Sequence, residues 1–312
     1  MIVKPDEMDF SGRKLAMIVA GVPGIGKTTL ALSAPKPLLV DLDGGVSRVE
    51  AKYRSDTMVV GTFQELKDEM ASEDLSAYET IVLDTGGKLF ELMKPSIIAE
   101  SPKNGKQDGS LSLQGYGIAK KRFSEFVDSV KAMGKNLVIV FHASEVVTDP
   151  VEKTTGLRIR IEGGTKDEIW DDMDLGGFLE MRGNKRVIGF SNCDRYYAKG
   201  THGVHGAYEV PDLSGGGANT FLADLFEKVN ADLNAEAREA ARYRRAKEAG
   251  AKLIAEAQGA DGLNAALKAI KEGDSALTSK EELWAMMQAR AKELGAAYDK
   301  SKGAFADHSE PA

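Results

Sequence analysis

Three glycines within six residues, Gly21-Val-Pro-Gly-Ile-Gly26, run straight into Lys27-Thr28-Thr29. An apolar run, Lys14–Ala20, precedes them, and a helical stretch through Ala34 follows. No other feature limits the fold of this chain as strongly. A buried strand must deliver the backbone into a turn with little room for side chains, and a helix must carry it away. The spacing is G-x-x-x-x-G-K-[ST], in which successive backbone N–H groups curl inward around a phosphate. Gly21, Pro23, Gly24, Ile25, Gly26 and Thr29 form the cradle. Lys27 places a point charge between the outer phosphates, and the Thr28 hydroxyl faces a magnesium ion. The expected ligands are therefore ATP and Mg2+.

The same alternation of strand and helix continues to about Phe226. Pro37–Leu42, Thr57–Gly61, Glu79–Asp84 and Asn136–His142 read as strands. Phe63–Ala71, Gly87–Glu100 and Tyr116–Met133 read as helices between them. Near-continuous apolar strands are those covered on both faces, so the pattern predicts a mostly parallel central sheet flanked by helices. After His142 the candidates Leu157–Ile161, Gly177–Met181, Arg186–Ser191 and Arg195–Lys199 are shorter and predict an antiparallel extension. Ser214–Asn219 reads as a turn or hinge. From residue 229 the chain turns to Ala, Glu, Lys and Arg without strand signal, which predicts an α/β core over 1–228 and a helical module over 229–300. Its helices are expected near Asp232–Gln258, Leu263–Glu272 and Lys280–Ala297, and 301–312 as a structureless tail. A single cysteine, Cys193, excludes an internal disulfide and a multi-cysteine zinc site. A net charge of −7 gives no polycation signature. With no signal-peptide pattern and no long apolar run, the expected location is the cytoplasm, with no membrane partner.

Three strand tips carry candidate chemistry. Asp84 closes Thr80-Ile-Val-Leu-Asp84, where a carboxylate would organise the magnesium with Thr28, or cap the helix that follows. Asp41 and Asp43 precede Gly44-Gly45, and two residues apart they are expected to face one way. One of them would position the attacking water, or both would merely shape the turn. His142 ends Leu137–His142 on the edge where ligands bind in such sheets, as a sensor of the terminal phosphate or as a structural histidine. His202 and His205 flank Gly203 without metal-ligand spacing.

Taken in order, the phosphate loop, the acid-tipped strand, the strand ending in Asp84 and the strand ending in a polar residue resemble the RecA-like P-loop ATPase core. The likeness runs through Gly21–Thr29, Leu38–Gly45, Thr80–Thr85, Tyr116–His142 and Gly177–Gly203. It is nearest to the compact RecA-core ATPases of bacteriophages, which include ATP-dependent single-strand-annealing recombination proteins. The resemblance implies the RecA-like fold, ATP hydrolysis coupled to single-stranded DNA binding in recombination, and assembly into a homo-oligomeric ring or filament. Recombination or replication proteins are the partners it implies, and the host cytoplasm the location if the chain is of phage origin. It places Asp43 where the family has a catalytic glutamate one methylene longer, and His142 at the polar sensor. It places Lys199, in Tyr197-Ala-Lys199-Gly, at a cation reaching a neighbouring subunit's terminal phosphate, with Thr201 where a second basic residue would be expected. DNA loops fall at Ser101–Gln114, with Lys103 and Lys106, and at Ser144–Ile169, with Lys153, Arg158, Arg160 and Lys166. Both loops also carry acids, so their charge fits an ordinary mixed surface equally well.

The C-terminal stretch brings Arg238, Arg242 and Arg245 to one helical face, either a solvated face or a dock for phosphate or an acidic partner. Two other functional classes stay open at this level: a nucleotide switch or loader that does not hydrolyse, favoured by the short Asp43, and a small-molecule P-loop kinase.

Overall fold

The structure, a computed structural model, describes residues 3, 8–10, 12–149, 154–161, 168–273 and 277–307. Runs of branched apolar residues set its centre. β1 (Ala16–Gly21), β4 (Thr80–Asp84) and the first half of β5 (Asn136–Asp149) are buried on both faces. Alternation along a strand sends Ile18, Leu83 and Ile139 into one apolar core and Val19, Val82 and Val138 into another. β1 lies between β5 and β7 (Leu175–Arg182) and parallel to both. Beyond β5 follow β4, β2 (Pro37–Asp41) and β3 (Thr57–Val59), all parallel. Beyond β7 follow β8 (Lys185–Gly189) and β9 (Ala207–Val210), both antiparallel.

Parallel neighbours need crossovers, and helices supply them. α2 (Phe63–Ser72), α3 (Gly86–Glu100) and α4 (Leu113–Ala132) bring Leu66, Leu89, Met93 and Phe123 onto the Ile18 side. α1 (Lys27–Ala31) and the first turns of α5 (Phe221–Glu256) cover the Val19 side with Leu30, Leu222 and Phe226. Each such fully buried side chain contributes roughly 1.5–3 kcal/mol. The crossover helices start where the sequence provides caps. Thr62 and Glu65 form a reciprocal capping box on α2, and Ser112 accepts from the Gly115 N–H on α4. The result is a mixed α/β architecture with a mostly parallel central sheet flanked by helices, as the alternation along the sequence predicts.

Several segments depart from the pattern expected of the sequence. β5 does not stop at His142 but runs to Asp149 and doubles back as β6 (Thr154–Ile159), pairing Ala143 with Ile159. The stretch expected as a second DNA loop is thus in large part a hairpin, because its β-branched Val146-Val147 and Thr154-Thr155 favour pairing. Lys153 and Lys166 lie outside the described residues. The first expected loop closes as a tight turn in which buried Asn104 donates to the Ile97 carbonyl, and α4 already begins at Leu113. Arg195–Lys199 makes only single bridges, Cys193 to Tyr196 and Gly176 to Lys199, rather than a strand. α1 ends at Ala31, and α5 begins at Phe221, eleven residues before the helix expected at Asp232.

Packing divides the chain into residues 12–230 and a second unit of residues 1–11 with 231–312. In the second, the rest of α5, α6 (Gly259–Glu272) and α7 (Leu277–Glu293) close over Ile254, Leu263, Leu283 and Met287. β10 (Ala296–Asp299) and β11 (Ala304–Asp307) pair antiparallel. The expected tail is therefore ordered in part, since Phe305 packs against Trp284 and Tyr298. Residues 308–312 lie outside the described part.

One buried amide ties three strand starts together. Asn136 accepts from the Leu15 N–H at 2.9 Å and donates to the Glu79 carbonyl and Thr80 Oγ1. Asn136→Ala strands these groups in a dry site, and the expected loss is about 1–3 kcal/mol in urea unfolding.

Candidate functional site

Strand parity builds the site. On β1, Met17 and Val19 face the α1 side, and so therefore does Gly21. By the same alternation Leu39 on β2 leads to Asp41, Val82 on β4 to Asp84, and Val140 on β5 to His142. β5 stands between β1 and β4, pairing His142 with Gly21 and Val140 with Asp84. Three polar strand tips and the glycine loop thus meet at one end of α1.

The loop geometry requires glycine. Gly24 and Gly26 have φ of +79° and +98°, in the left-handed region. A Cβ on Gly21 would lie 2.7 Å from the Leu179 carbonyl oxygen. At the loop's end Lys27 is buried and donates to the Val22 carbonyl at 2.9 Å. Burial lowers its pKa from 10.5 to about 8, against the opposing pull of Asp84. Thr28 donates its hydroxyl to Asp84 Oδ2 at 2.5 Å. Burial raises the Asp84 pKa to about 6, with that hydrogen bond opposing. A carboxylate held out of water beside a hydroxyl, with its charge under-compensated by protein, fits a hard cation. Among the described residues no cluster of three or more His, Cys, Asp or Glu groups would hold a metal by itself. Magnesium, which takes one or two carboxylates together with substrate phosphates, matches that donor set.

Asp41 and Asp43 part company. β2 ends at Asp41, so the alternation expected to align the two does not reach Asp43. The Asp41 carboxylate accepts from the N–H groups of Gly45 and Val46 at 2.8 and 2.9 Å and braces the turn. Asp43 instead lies 3.8 Å from His142 Nε2 and 3.4 Å from Arg48. Burial, then the Lys27 charge, lowers the His142 pKa, while Asp43 pulls it upward. His142 Nδ1 is buried and has no hydrogen-bond partner.

Lys199 sits elsewhere in this chain. It bridges to Gly176, a residue paired with Ile18 three positions before Gly21. Its ammonium donates to the Trp170 and Asp171 carbonyls. The cations nearest the cradle come from other places. Arg186 on β8 leans over the loop, donating from Nε to the Ile25 carbonyl at 3.1 Å. Arg160, which follows β6, donates its N–H to the His142 carbonyl, and its charge acts on Lys27 and His142. Nothing in the spacing of the sequence singled out Arg48 or Arg186, because sheet register and a short 3-10 turn bring them in.

Beside Gly26 and Thr29 opens a cavity of about 270 Å³. Its far wall is the connection from β9 to α5, expected as a hinge and found fastened at two points. Tyr53 donates its hydroxyl to the Leu213 and Gly217 carbonyls, and Asn219 donates to the Thr29 carbonyl.

The raised Asp84 pKa fixes a sign. Ordinary Asp titrates near 3.8 and folded Asp84 near 6, so its contribution to stability is full below about pH 4. It is lost as pH rises through 6. Asp84→Asn removes that loss, so the ligand-free variant should be more stable than the parent at pH 8 by about 1–3 kcal/mol, and should melt at a higher temperature. The gap should close by pH 4 in thermal scans at both pH values.

Among solved structures, the chain is similar to the KaiC-like protein PH0186 from the hyperthermophilic archaeon Pyrococcus horikoshii OT3. That match has 11% identity and a TM-score of 0.35, covering 64% of this chain and 90% of that one. It is also similar to the flagellar accessory protein FlaH from Methanocaldococcus jannaschii, at 12% identity and a TM-score of 0.34, covering 67% of this chain and 93% of that one. No curated protein is matched by the sequence. Among the described residues no helix is long and apolar enough to cross a membrane. Residues 13–202, more than half of the chain and all of the phosphate cradle, match the AAA domain family AAA_24. The chain belongs to that AAA domain family.

Proposed function

We propose that this chain binds Mg·ATP at Gly21–Thr29, hydrolyses it, and relays the nucleotide state to single-stranded DNA. Nucleotide binding and ATPase activity are the work of the family. The observation that carries the hydrolysis reading is the contact of Thr28 with Asp84 at the mouth of the glycine loop, 2.5 Å from oxygen to oxygen. Magnesium, when bound, supplies charge neutralisation across the outer phosphates. The chain's own groups do the rest. Loop amides and Lys27 grip the phosphates, and the cavity by Gly26 and Thr29 takes the nucleoside, with Tyr53 holding its far wall. Asp43 and His142, 3.8 Å apart, flank a space in which both contact the attacking water. Arg160 and Arg186 add cationic charge from within the chain, and Lys199 is the cation a neighbouring copy would present.

The DNA half of the reading is supported by β5. One strand carries His142 and then continues into the arm paired with β6, in regular register from Ala143 to Val147 and with a shift before Asp149. Arg158 and Arg160 end that arm, and Arg182 and Arg195 are grouped nearby on Glu180. Phosphate state sensed at His142 thereby reaches an arm whose cations suit a nucleic-acid backbone. In a ring or filament, the arms of successive copies hold one strand, and annealing during recombination is the step the cycle drives.

The test is ATP turnover with and without single-stranded DNA, together with DNA mobility shift with and without ATP. The expected result is DNA-stimulated hydrolysis and ATP-dependent DNA binding. Lys27→Ala should cut turnover at least ~100-fold, consistent with loss of the charge between the outer phosphates. Asp84→Asn should retain nucleotide while losing magnesium-dependent turnover. Tight binding without turnover in the parent protein overturns the hydrolysis reading in favour of a switch. Phosphate transfer to a metabolite overturns it in favour of a kinase, and turnover indifferent to DNA overturns the coupling.

A further inference from the structure

A cavity lies far along the chain from the phosphate loop, wholly within the second unit. It is a groove of about 790 Å³ along α5, bordered by residues of α6 and α7. From Asn234 to Leu253 it follows α5 for nineteen residue steps, about 28 Å of helix. Arg238, Arg242 and Arg245 are exposed along it. Spaced by four and three residues, they fall on one stripe of the helix. The floor is apolar: Ala241 and Gly250 are buried there, and Leu253, Ile270 and Leu283 line it. Among the described residues no aromatic ring lines it to give a base something on which to stack. The groove therefore pairs a row of planar cations with a smooth aliphatic floor. The chain itself supplies an instance of what fits. Met8 and Asp9, one apolar and one acidic, lie against it, and the adjacent Phe10 N–H donates to Asn234 Oδ1 at 2.9 Å.

We infer that this groove is a docking site for an acidic, amphipathic peptide segment of a partner protein. Its carboxylates would pair with Arg238, Arg242 and Arg245, and its aliphatic or aromatic side chains would sit on the alanine and leucine floor. Guanidinium forks match carboxylates bidentately, which gives the pairing a fixed register along the helix. A groove of this length accommodates an amphipathic helix of about five turns. The Met8–Asp9 stretch occupies one part of it and is the segment such a partner would meet or displace. The inference is independent of the phosphate site, since no residue of that site borders the groove.

The test uses the full chain and fluorescence anisotropy. The probe is a fluorescein-labelled peptide of about twelve residues, aspartates interleaved with leucine and phenylalanine. Two control peptides carry lysine for aspartate, or serine for leucine and phenylalanine. Saturable binding of the probe, at least tenfold weaker for both controls, is expected. The double variant Arg238→Glu/Arg245→Glu alters only exposed side chains and should weaken the probe at least tenfold with an unchanged melting temperature. Leu253→Asp, at the floor, should do the same through the apolar half of the contact. No saturable binding by the parent chain overturns the inference, as does equal binding by the double variant. If the serine peptide binds as well as the probe and an oligothymidylate displaces both, the groove is a polyanion site for nucleic acid and the peptide assignment falls.

Discussion

Burial of opposite charges that only partly neutralise each other is the constraint on which the core depends. Lys27 and Asp84 are each about 96% or more out of water, yet Lys27 bonds a backbone carbonyl and Asp84 a hydroxyl. Desolvation shifts each pKa toward the neutral form, Lys27 to about 8 and Asp84 to about 6. At roughly 1.4 kcal/mol per pKa unit, the two shifts cost several kcal/mol in all, comparable with the net stability of an ordinary domain. A fold tolerates that only when other parts hold the site open. Here the double-sided sheet and Asn136 at its far end do so. Binding of a polyanion with its cation supplies both groups with the missing counter-charge, and by linkage stabilises the folded chain.

The same constraint explains why β5 matters more than its neighbours. It separates the loop-bearing β1 from β4, and its tip, His142, pairs with Gly21. β5 continues as one strand past His142 into the β5–β6 arm, in regular register with β6 from Ala143 to Val147. Arg160 closes the circuit from the other side, through its backbone bond to the His142 carbonyl. Two ends of one hairpin thus address one cradle. In the proposed function, this hydrogen-bonded backbone rather than a side-chain relay carries the coupling.

Much of this was legible in the sequence, for physical reasons that also mark where legibility stopped. The glycine loop could be read because its backbone conformation tolerates few other residues. Asp84 could be read because a carboxylate at the end of Ile-Val-Leu has few bland explanations. The helices from Phe63, Gly86 and Leu113 carried their own caps or periodicity. Asp41 and Asp43 were misaligned because alternation holds only while the strand lasts, and β2 ends one residue sooner than Leu42. Arg186 and Arg48 were invisible, since their approach to the cradle depends on register across three strands and on one turn. The pairing of β5 with β6 leaves little trace in the sequence because Glu145 and Arg158 interrupt its apolar alternation. Phe305 in the expected tail shows the same lesson, since one buried ring between two alanines leaves no periodic trace.

Net charge conceals more than it reveals in this chain. A total of −7 argues against nucleic-acid or acidic partners only if charge is spread evenly, and it is not. Arg158, Arg160, Arg182 and Arg195 are grouped at the edge of the core unit, and Arg238, Arg242 and Arg245 share one stripe of α5. Screening limits the reach of an exposed charge to about 8–10 Å at physiological salt. A ligand therefore responds to the local row and not to the sum over the surface. Two basic groups of different character coexist in one acidic chain: one gathers at the end of β6 and around Glu180 on β7, and the other lies in an aliphatic trough. Among the described residues no aromatic ring lines the second. Phosphate alone would satisfy its arginines, but only a segment with apolar side chains would also cover its floor.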